Sequence, residues 1–562
     1  MTSLGAIVAP QPGAPVDGSR VKPAVRPSSR GLLVFGCIAL AFAVIGAQLV
    51  RLAVQGQSEP VVALNEPLTR SFSRPDIVDR NGRLVATDLE VPSLYADPAL
   101  LINADEVIEK LRVILPDLDE AELGRTLREP GRRFAWIRRG VAPHVAQRIH
   151  NLGIPGIGFR KELRRAYPLG RTAGHVLGAA SIDNKGLSGI ERHIDDTAGI
   201  EAVLGSARSE RPPLRLSIDI GVQHGLEDEL KAAMARYGAR GAAGLIMEAR
   251  TGAVVAAGSL PDIDPARPVE ALDEDRSDKL TAGTWELGSI FKMLTIAMAL
   301  DAGQARLDTV YDVREPLTVG RFTIKDLHPL GRPLTVEEIF VHSSNVGAGM
   351  IALEAGPKPQ QAFLARLGLT GSASSEAGPL APPQLPQRWD RAETTTISYG
   401  HGLAVAPLQF AAAAAALVNG GLRVRPTFLV RDAVPGSPPA ERVISSATSA
   451  RMRELMRLNV SHPAGTGRRA EVTGYEVGGK TGTAEMPVRG GYKENAVISS
   501  FIAAFPMSAP RYVVLVLLFE PTASAETRNQ ITAGVNAAPA TGRIIARVAP
   551  LLGVTPVLAT RQ

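Results

Sequence analysis

Twenty consecutive residues without a charge, GLLVFGCIALAFAVIGAQLV from Gly31 to Val50, constrain this chain more than any other feature. As a helix rising ~1.5 Å per residue, such a run reaches across the roughly 30 Å hydrocarbon layer of a membrane. Arg20, Lys22, Arg26 and Arg30 precede it against only Asp17. The positive-inside rule then puts residues 1–30 in the cytoplasm and everything after the run on the other side. Ala41–Ala43 could suit a signal-peptide cleavage site, but the triplet falls inside a run too long for such a peptide. An uncleaved anchor at 31–51 is expected. No second run of this length follows, so the expected topology is single-pass.

The 562 residues exceed one domain. Before the anchor the chain is rich in Pro, Gly and Ser, as a disordered tail is. After it, PDIVDRNGRLVATD carries Asn81-Gly82 between strand-like segments, the pattern of a type I′ hairpin. Helix-like and strand-like stretches alternate to about Glu210, where RPPLRLSID opens a new strand on a Pro pair. Next comes a second hairpin, AAGLIMEARTGAVVAAGSLP, turning at ARTG. AVISSFIAAFP and RYVVLVLLFEP are near-continuous apolar runs, as strands buried on both faces are. GRIIARVAPLLG closes the chain as a helix. The second unit therefore reads as an antiparallel sheet covered by helices, of α/β or α+β class. The net charge of +6 comes without a long Lys/Arg run, which argues against nucleic acid and suits an anionic surface or acidic polymer. The single cysteine, Cys37, excludes an internal disulfide. The nine histidines form no metal-binding pattern, and no metal or cofactor is expected.

One segment of the second unit is chemically odd. GSIFKMLTIAMAL, Gly288 to Leu300, is a helix apolar on every side, with Lys292 one turn after Ser289. Burial disfavours the ammonium form of a lysine, so this one can stand as a neutral amine able to take the serine's proton. The start of a helix also favours a developing oxyanion. Alone, S-x-x-K arises by chance about once in a chain this long. Two further elements follow: Ser343-Ser344-Asn345 in HSSNVG and Lys480-Thr481-Gly482 in VGGKTGTAE, 54 and 137 residues apart in turn. Each is weak by itself. The three in this order form the set known from penicillin-binding proteins and class A β-lactamases.

On these motifs, and on DRNGRLVATD, YPLGRTAGHVLG, GLSGIE, SYGHGLAVAPLQ and GRFTIKDLHPLGRPLTVEEIFVHSSNVG, the chain resembles class B penicillin-binding proteins of the division-specific, FtsI type from anchor to C-terminus. Leu287 and Ala406 depart from the proline and threonine that many such proteins carry there. The resemblance implies the penicillin-binding transpeptidase fold, with domains at 1–30 (cytoplasmic tail), 31–51 (transmembrane helix), 52–210 (mixed α+β pedestal) and 211–562 (transpeptidase). It implies that Ser289 is the nucleophile and Lys292 its base. Ser343, oriented by Asn345, relays a proton, while Lys480 supplies positive potential from a solvated position near the cleft surface. Thr481 and Thr483 receive the substrate's terminal carboxylate, and the Ser289 and Thr483 N–H groups form an oxyanion hole. Gly478, Gly479 and Gly482 leave a track for the substrate backbone. The implied partners are peptidoglycan stem peptides, lipid-linked glycan strands, β-lactams as covalent inhibitors, a polytopic glycan polymerase of the FtsW kind and other divisome membrane proteins. The implied place is the inner membrane at the division septum, with the catalytic domain periplasmic. A β-lactamase is disfavoured by the lack of an E-x-x-L-N segment. A bifunctional glycosyltransferase is disfavoured by the ~160 residues between anchor and second unit, short for that domain. An elongation-type transpeptidase and a non-turnover β-lactam sensor or scaffold are the alternatives.

Overall fold

The computed structural model describes residues 29–55, 73–198, 212–320, 322–431, 440–488 and 491–557. Residues 1–69 and 70–562 are separate compact units. In the first, helix α1 (Ser29–Gln55) contains the whole uncharged run, and Ile38, Leu40, Phe42, Val44 and Ile45 are exposed along it. Among the described residues no helix is long and apolar enough to cross a membrane. Residues 1–28, nearly all of the expected tail, lie outside the described residues, as do the side chains at both ends of α1.

The second unit opens with a mixed sheet. Strand β1 (Ile77–Val78) turns into β2 (Leu84–Ala96), which pairs on with β3 (Ala135–Arg138) and β4 (Ile157–Ala166). The turn between β1 and β2 corrects the sequence reading. A type I′ turn needs positive φ at both central residues, and here only Gly82 has one, at 84°. Instead Asp79 closes a wider loop: its Oδ1 accepts from Asn81 N and Arg83 N at 2.8 Å each. The strand opened by Pro212–Pro213, β5 (Leu214–Arg215), pairs in parallel with β1 and is the last strand of the pedestal sheet.

The larger part of this unit is built on five antiparallel strands. Helix α2 (Ile220–Arg236) leads into the hairpin β6 (Gly241–Glu248) and β7 (Val254–Leu260), which turns at 249–253 as expected. Helices α3 (Lys292–Asp301), α4 (Val336–His342), α5 (Asn345–Ala355), α6 (Pro407–Val418) and α7 (Ser446–Ser461) follow. Strands β8 (Gly478–Val488), β9 (Gly491–Phe505) and β10 (Tyr512–Phe519) and helix α8 (Ala537–Val548) finish the unit. The sheet order is β8-β9-β10-β6-β7, so the K-T-G strand is an edge. Central β10 is buried along its whole length because alternate residues serve opposite cores. Val514, Val516 and Leu518 face α2 and α8, while Val513, Leu515 and Leu517 face the core containing α3 and α6. This two-sided burial is why the run reads as continuous apolar sequence.

The pedestal is cross-braced by buried charge. Glu191 is fully buried and takes Arg74 Nε at 2.8 Å and Arg165 Nε at 2.7 Å. Asp88, also fully buried, accepts Arg74 N at 2.7 Å and Asn184 Nδ2 at 3.0 Å. The first sheet's part meets the five-stranded part through Arg171 on Glu270, at 2.7 Å, and through Ala173 N, which donates to buried Glu227 at 2.9 Å. Removing one partner of a buried ion cluster leaves uncompensated charge, at about 3–5 kcal/mol. Glu191→Ala takes one carboxylate from two buried guanidiniums, leaving Arg74 with Asp195 and Arg165 with Asp88, and should destabilise the protein by up to that order, read as an earlier transition in chemical denaturation. A midpoint within error of wild type would show that the cluster contributes nothing to stability.

Candidate active site

Ser289 lies on a 3₁₀ turn, Gly288–Phe291, that runs into α3 at Lys292. Residues i and i+3 eclipse in a 3₁₀ turn, which brings Lys292 Nζ to 3.0 Å from Ser289 Oγ. Gly288 has φ +60°, and a Cβ there would sit 2.6 Å from Thr483 O. Only glycine allows the serine turn to lie this close to β8.

Lys292 is fully buried. Burial first, and then the nearby Lys480 cation, hold its amine well below the ordinary lysine value, with Asp326 opposing. Its nitrogen lies 2.5 Å from Ser343 O, 2.7 Å from Asn345 Oδ1 and 3.1 Å from Ser343 Oγ. Two of these neighbours, the Ser343 carbonyl and the Asn345 amide oxygen, can only accept. They take both N–H groups of a neutral amine, which leaves its lone pair for a serine hydroxyl.

The S-x-N element is held in a conformation that few side chains adopt. A capping box at Thr335 and Glu338 starts α4. Ser343 ends it in the left-handed region, at φ 59° and ψ 42°, and Ser344 caps α5 with its hydroxyl on Gly347 N at 2.9 Å. A non-glycine residue held there costs on the order of 1–3 kcal/mol, tolerated where surrounding structure imposes it. Asp326 imposes it here. Its Oδ1 accepts Asn345 N at 2.5 Å and Val346 N at 3.0 Å, and its Oδ2 accepts Ser344 Oγ at 2.6 Å. The sequence reading passed over this residue although it lies in the quoted IKDLHPLGR stretch. An aspartate's reach to a helix start 19 residues away has no periodic signature.

Lys480 corrects the expectation of a solvated cation. It is fully buried, and desolvation lowers its amine to about 7. Its nitrogen lies 2.9 Å from Ser343 Oγ and 5.9 Å from the Phe340 ring. Ser343 Oγ thus bridges the two lysines. The glycines differ from expectation too. A Cβ on Gly482 would meet Leu287 O and Ser500 Oγ at 2.4 Å, and one on Gly479 would meet Ile502 O at 2.5 Å. The protein itself fills these spaces, so the glycines seat β8 against its neighbours rather than clear a track for a ligand.

Ser289, Ser343, Asn345, Thr481 and Thr483 all line one cleft of about 910 Å³. Lys292 and Lys480 reach its floor from below. Thr481 Oγ1 lies 2.8 Å from Thr466 Oγ1, and Thr483 Oγ1 accepts Ala533 N at 3.1 Å. His401 also borders the cleft, and burial lowers its imidazole below the ordinary value. Neither Thr466 nor His401 was singled out from sequence: a turn threonine and a lone histidine carry no pattern of their own. The arrangement can activate a serine hydroxyl, pass its proton along a second serine and hold an anionic ligand against two threonines.

Residues 242–537 match the model of the penicillin binding protein transpeptidase domain, and residues 70–201 that of the penicillin-binding protein dimerisation domain. The probable peptidoglycan D,D-transpeptidase FtsI of Caulobacter vibrioides is 40% identical over 490 residues, covering 86% of this chain and 82% of that one. The probable peptidoglycan D,D-transpeptidase PenA of Neisseria meningitidis is 32% identical, covering 89% and 88%. In fold, the crystal structure of a peptidoglycan synthetase from Bifidobacterium adolescentis superposes with a TM-score of 0.66 at 23% identity, over 87% of this chain and 97% of that one.

Burying Lys480 has a thermodynamic signature. Its folded value of about 7 lies below the ordinary 10.5. Between those values the unfolded chain binds more protons, so this group makes stability rise with pH there. Lys480→Met removes the penalty. Its thermal midpoint should exceed wild type at and below neutral pH, and the gap should narrow towards pH 10.5. A gap that widens with pH would contradict the burial of a destabilised ammonium.

Proposed function

Because this chain belongs to the penicillin-binding protein transpeptidase family, we propose that it cross-links peptidoglycan stem peptides as a serine D,D-transpeptidase of the division-specific type. The observation that carries this reading is the unbroken path from Ser289 Oγ through Lys292 Nζ and Ser343 Oγ to Lys480 Nζ, no step longer than 3.1 Å. Lys292, neutral by burial, takes the Ser289 proton as Oγ attacks the penultimate D-Ala carbonyl. The oxyanion forms against the N–H groups of Ser289 and Thr483. The C–N bond to the terminal D-Ala breaks, and its amine receives a proton through Ser343, which Asn345 orients through their shared contact with Lys292. The Ser289 ester then meets an acceptor amine from a neighbouring stem. The new amide forms, Oγ leaves, and the amine's proton returns along the same path. Thr481 and Thr483 hold the donor's terminal carboxylate, with Lys480 beneath them.

The finer parts of the reading concern place and partners. Helix α1 is proposed as a single-pass inner-membrane anchor, with the catalytic domain periplasmic, because exposed apolar side chains along it need an apolar surrounding. The pedestal is proposed to dock a polytopic glycan polymerase of the FtsW kind. Exposed Leu100, Ile102 and Val113 near its first long helix (Ala104–Ile114) support that. Division rather than elongation rests on the FtsI resemblance, and a fluorescent fusion at midcell rather than along the side wall would bear it out.

Ser289→Ala should abolish both covalent penicillin labelling and turnover of a donor stem with an acceptor amine. A stable penicilloyl adduct in that variant would place the nucleophile elsewhere. The pH profile separates the two lysines. The second-order acylation constant reports the free enzyme, so its acid limb follows Lys292, whose amine burial holds well below the ordinary lysine value, while it declines above about 7 as Lys480 deprotonates. In Lys480→Ala the alkaline limb should flatten and the acid limb survive. An alkaline limb unchanged in that variant would sink the division of roles.

A further inference from the structure

Lys480 has no exposed surface, so it cannot itself touch an anionic ligand in the cleft. The wall beside Thr481 supplies other cations. It is the turn at 465–470, whose Thr466 hydroxyl lies 2.8 Å from that of Thr481. Asn459, buried on α7, clamps this turn to the catalytic strand: its Nδ2 donates to Gly479 O at 2.9 Å, and its Oδ1 accepts Thr466 N at 3.2 Å and Thr466 Oγ1 at 3.0 Å. Ala470, fully buried, anchors the far end. Between these fixed points Arg468 and Arg469 are exposed and line the cleft.

Neither guanidinium is in an ion pair among the described residues. Nearby arginines are: Arg457 is held by Glu471 at 2.5 Å and Arg547 by Asp228 at 2.7 Å. Arg469 also lies in the field of Glu526, but that carboxylate is already held by Arg236. Across the cleft, Asp326 is engaged by three donors of the S-x-N element. Exposed Leu327 and Leu330 stand on that side. The cleft therefore has one apolar lip and one rigid cationic wall adjoining the threonines.

We propose that Arg468 and Arg469 recruit and orient the terminal carboxylate of the peptide donor, a contact that Lys480 cannot make from its buried position. This rests on the transpeptidase reading of the cleft. Lys480 then serves the proton path through Ser343, and the arginines bring the anion to Thr481. Fixed cations at a cleft mouth raise association rates by about 10- to 1,000-fold, an effect that salt removes.

The test uses the full chain, with benzylpenicillin as carboxylate probe and its methyl ester as uncharged control. Second-order acylation constants are measured at low and high salt. In wild type, acylation by the acid should fall with salt and acylation by the ester should not. Arg468→Gln with Arg469→Gln should lower the acid's constant about tenfold at low salt, remove its salt dependence and leave the ester unchanged. Arg468→Lys with Arg469→Lys should restore the salt dependence. A glutamine variant that keeps the wild-type constant and salt slope overturns the proposal. So does one that loses acid and ester alike, because the loss is then structural rather than electrostatic. Absence of acylation by either probe in wild type would instead overturn the transpeptidase reading beneath it.

Discussion

Two lysines buried around one serine hydroxyl are the constraint on which this molecule depends. Taking an ammonium out of water is expensive, and placing a second one beside it adds repulsion that low dielectric strengthens. Lys292 and Lys480 nevertheless both contact Ser343 Oγ. The arrangement holds together because the amines need not be charged and because oxygens are fixed in place around them. The groups of this cluster come from three elements distant in sequence. The 3₁₀ turn supplies Ser289, the junction of α4 and α5 supplies Ser343 and Asn345, and the edge strand β8 supplies Lys480. The sheet, its two cores and the helix caps bring these three into contacts of 2.5–3.1 Å. A chain optimised for stability alone would bury methionines there.

That the motif residues come together was largely legible in the amino-acid sequence because they bring their own local geometry. A lysine three residues after a serine in an apolar helix start predicts the observed contact without knowledge of the remaining fold. The apolar runs of β9 and β10 likewise announced strands buried on both faces. Where the reading failed, the deciding partner was remote in sequence. Lys480 follows two glycines, which suggested a solvated strand edge. Its burial is set by Phe340 and Ser343 from the α4–α5 junction, 137 residues upstream of it. Asn81-Gly82 suggested a two-residue turn, but Asp79's side chain recruited two further backbone donors and widened it. Asp326 and Asn459 act through single side chains reaching to other elements, and no periodicity marks such residues.

The glycines of the K-T-G strand show how local permission and global packing differ. A residue without a side chain can be read as room for a ligand. At Gly288 and Gly482 the room is taken by the protein itself, the serine turn against Thr483 and the strand against Leu287. The spacing between the Ser289 turn and the edge strand is therefore set largely by backbone contact. At Gly288 the contact is purely with the Thr483 backbone, while at Gly482 the Leu287 carbonyl and the Ser500 hydroxyl share it.

Arg74 directly follows Ser73, the first residue described in the second unit, and its side chain is heavily tethered. It is bound to Glu191 through both side chain and carbonyl, to Asp195 and to Asn184 O, while its own N–H is held by Asp88. Tension transmitted along the polypeptide from α1 would enter the second unit at this point. It would meet several bonds made by one residue to partners more than 100 positions along the chain. The first described residues of this unit then act as a mechanical fastening as well as a fold element.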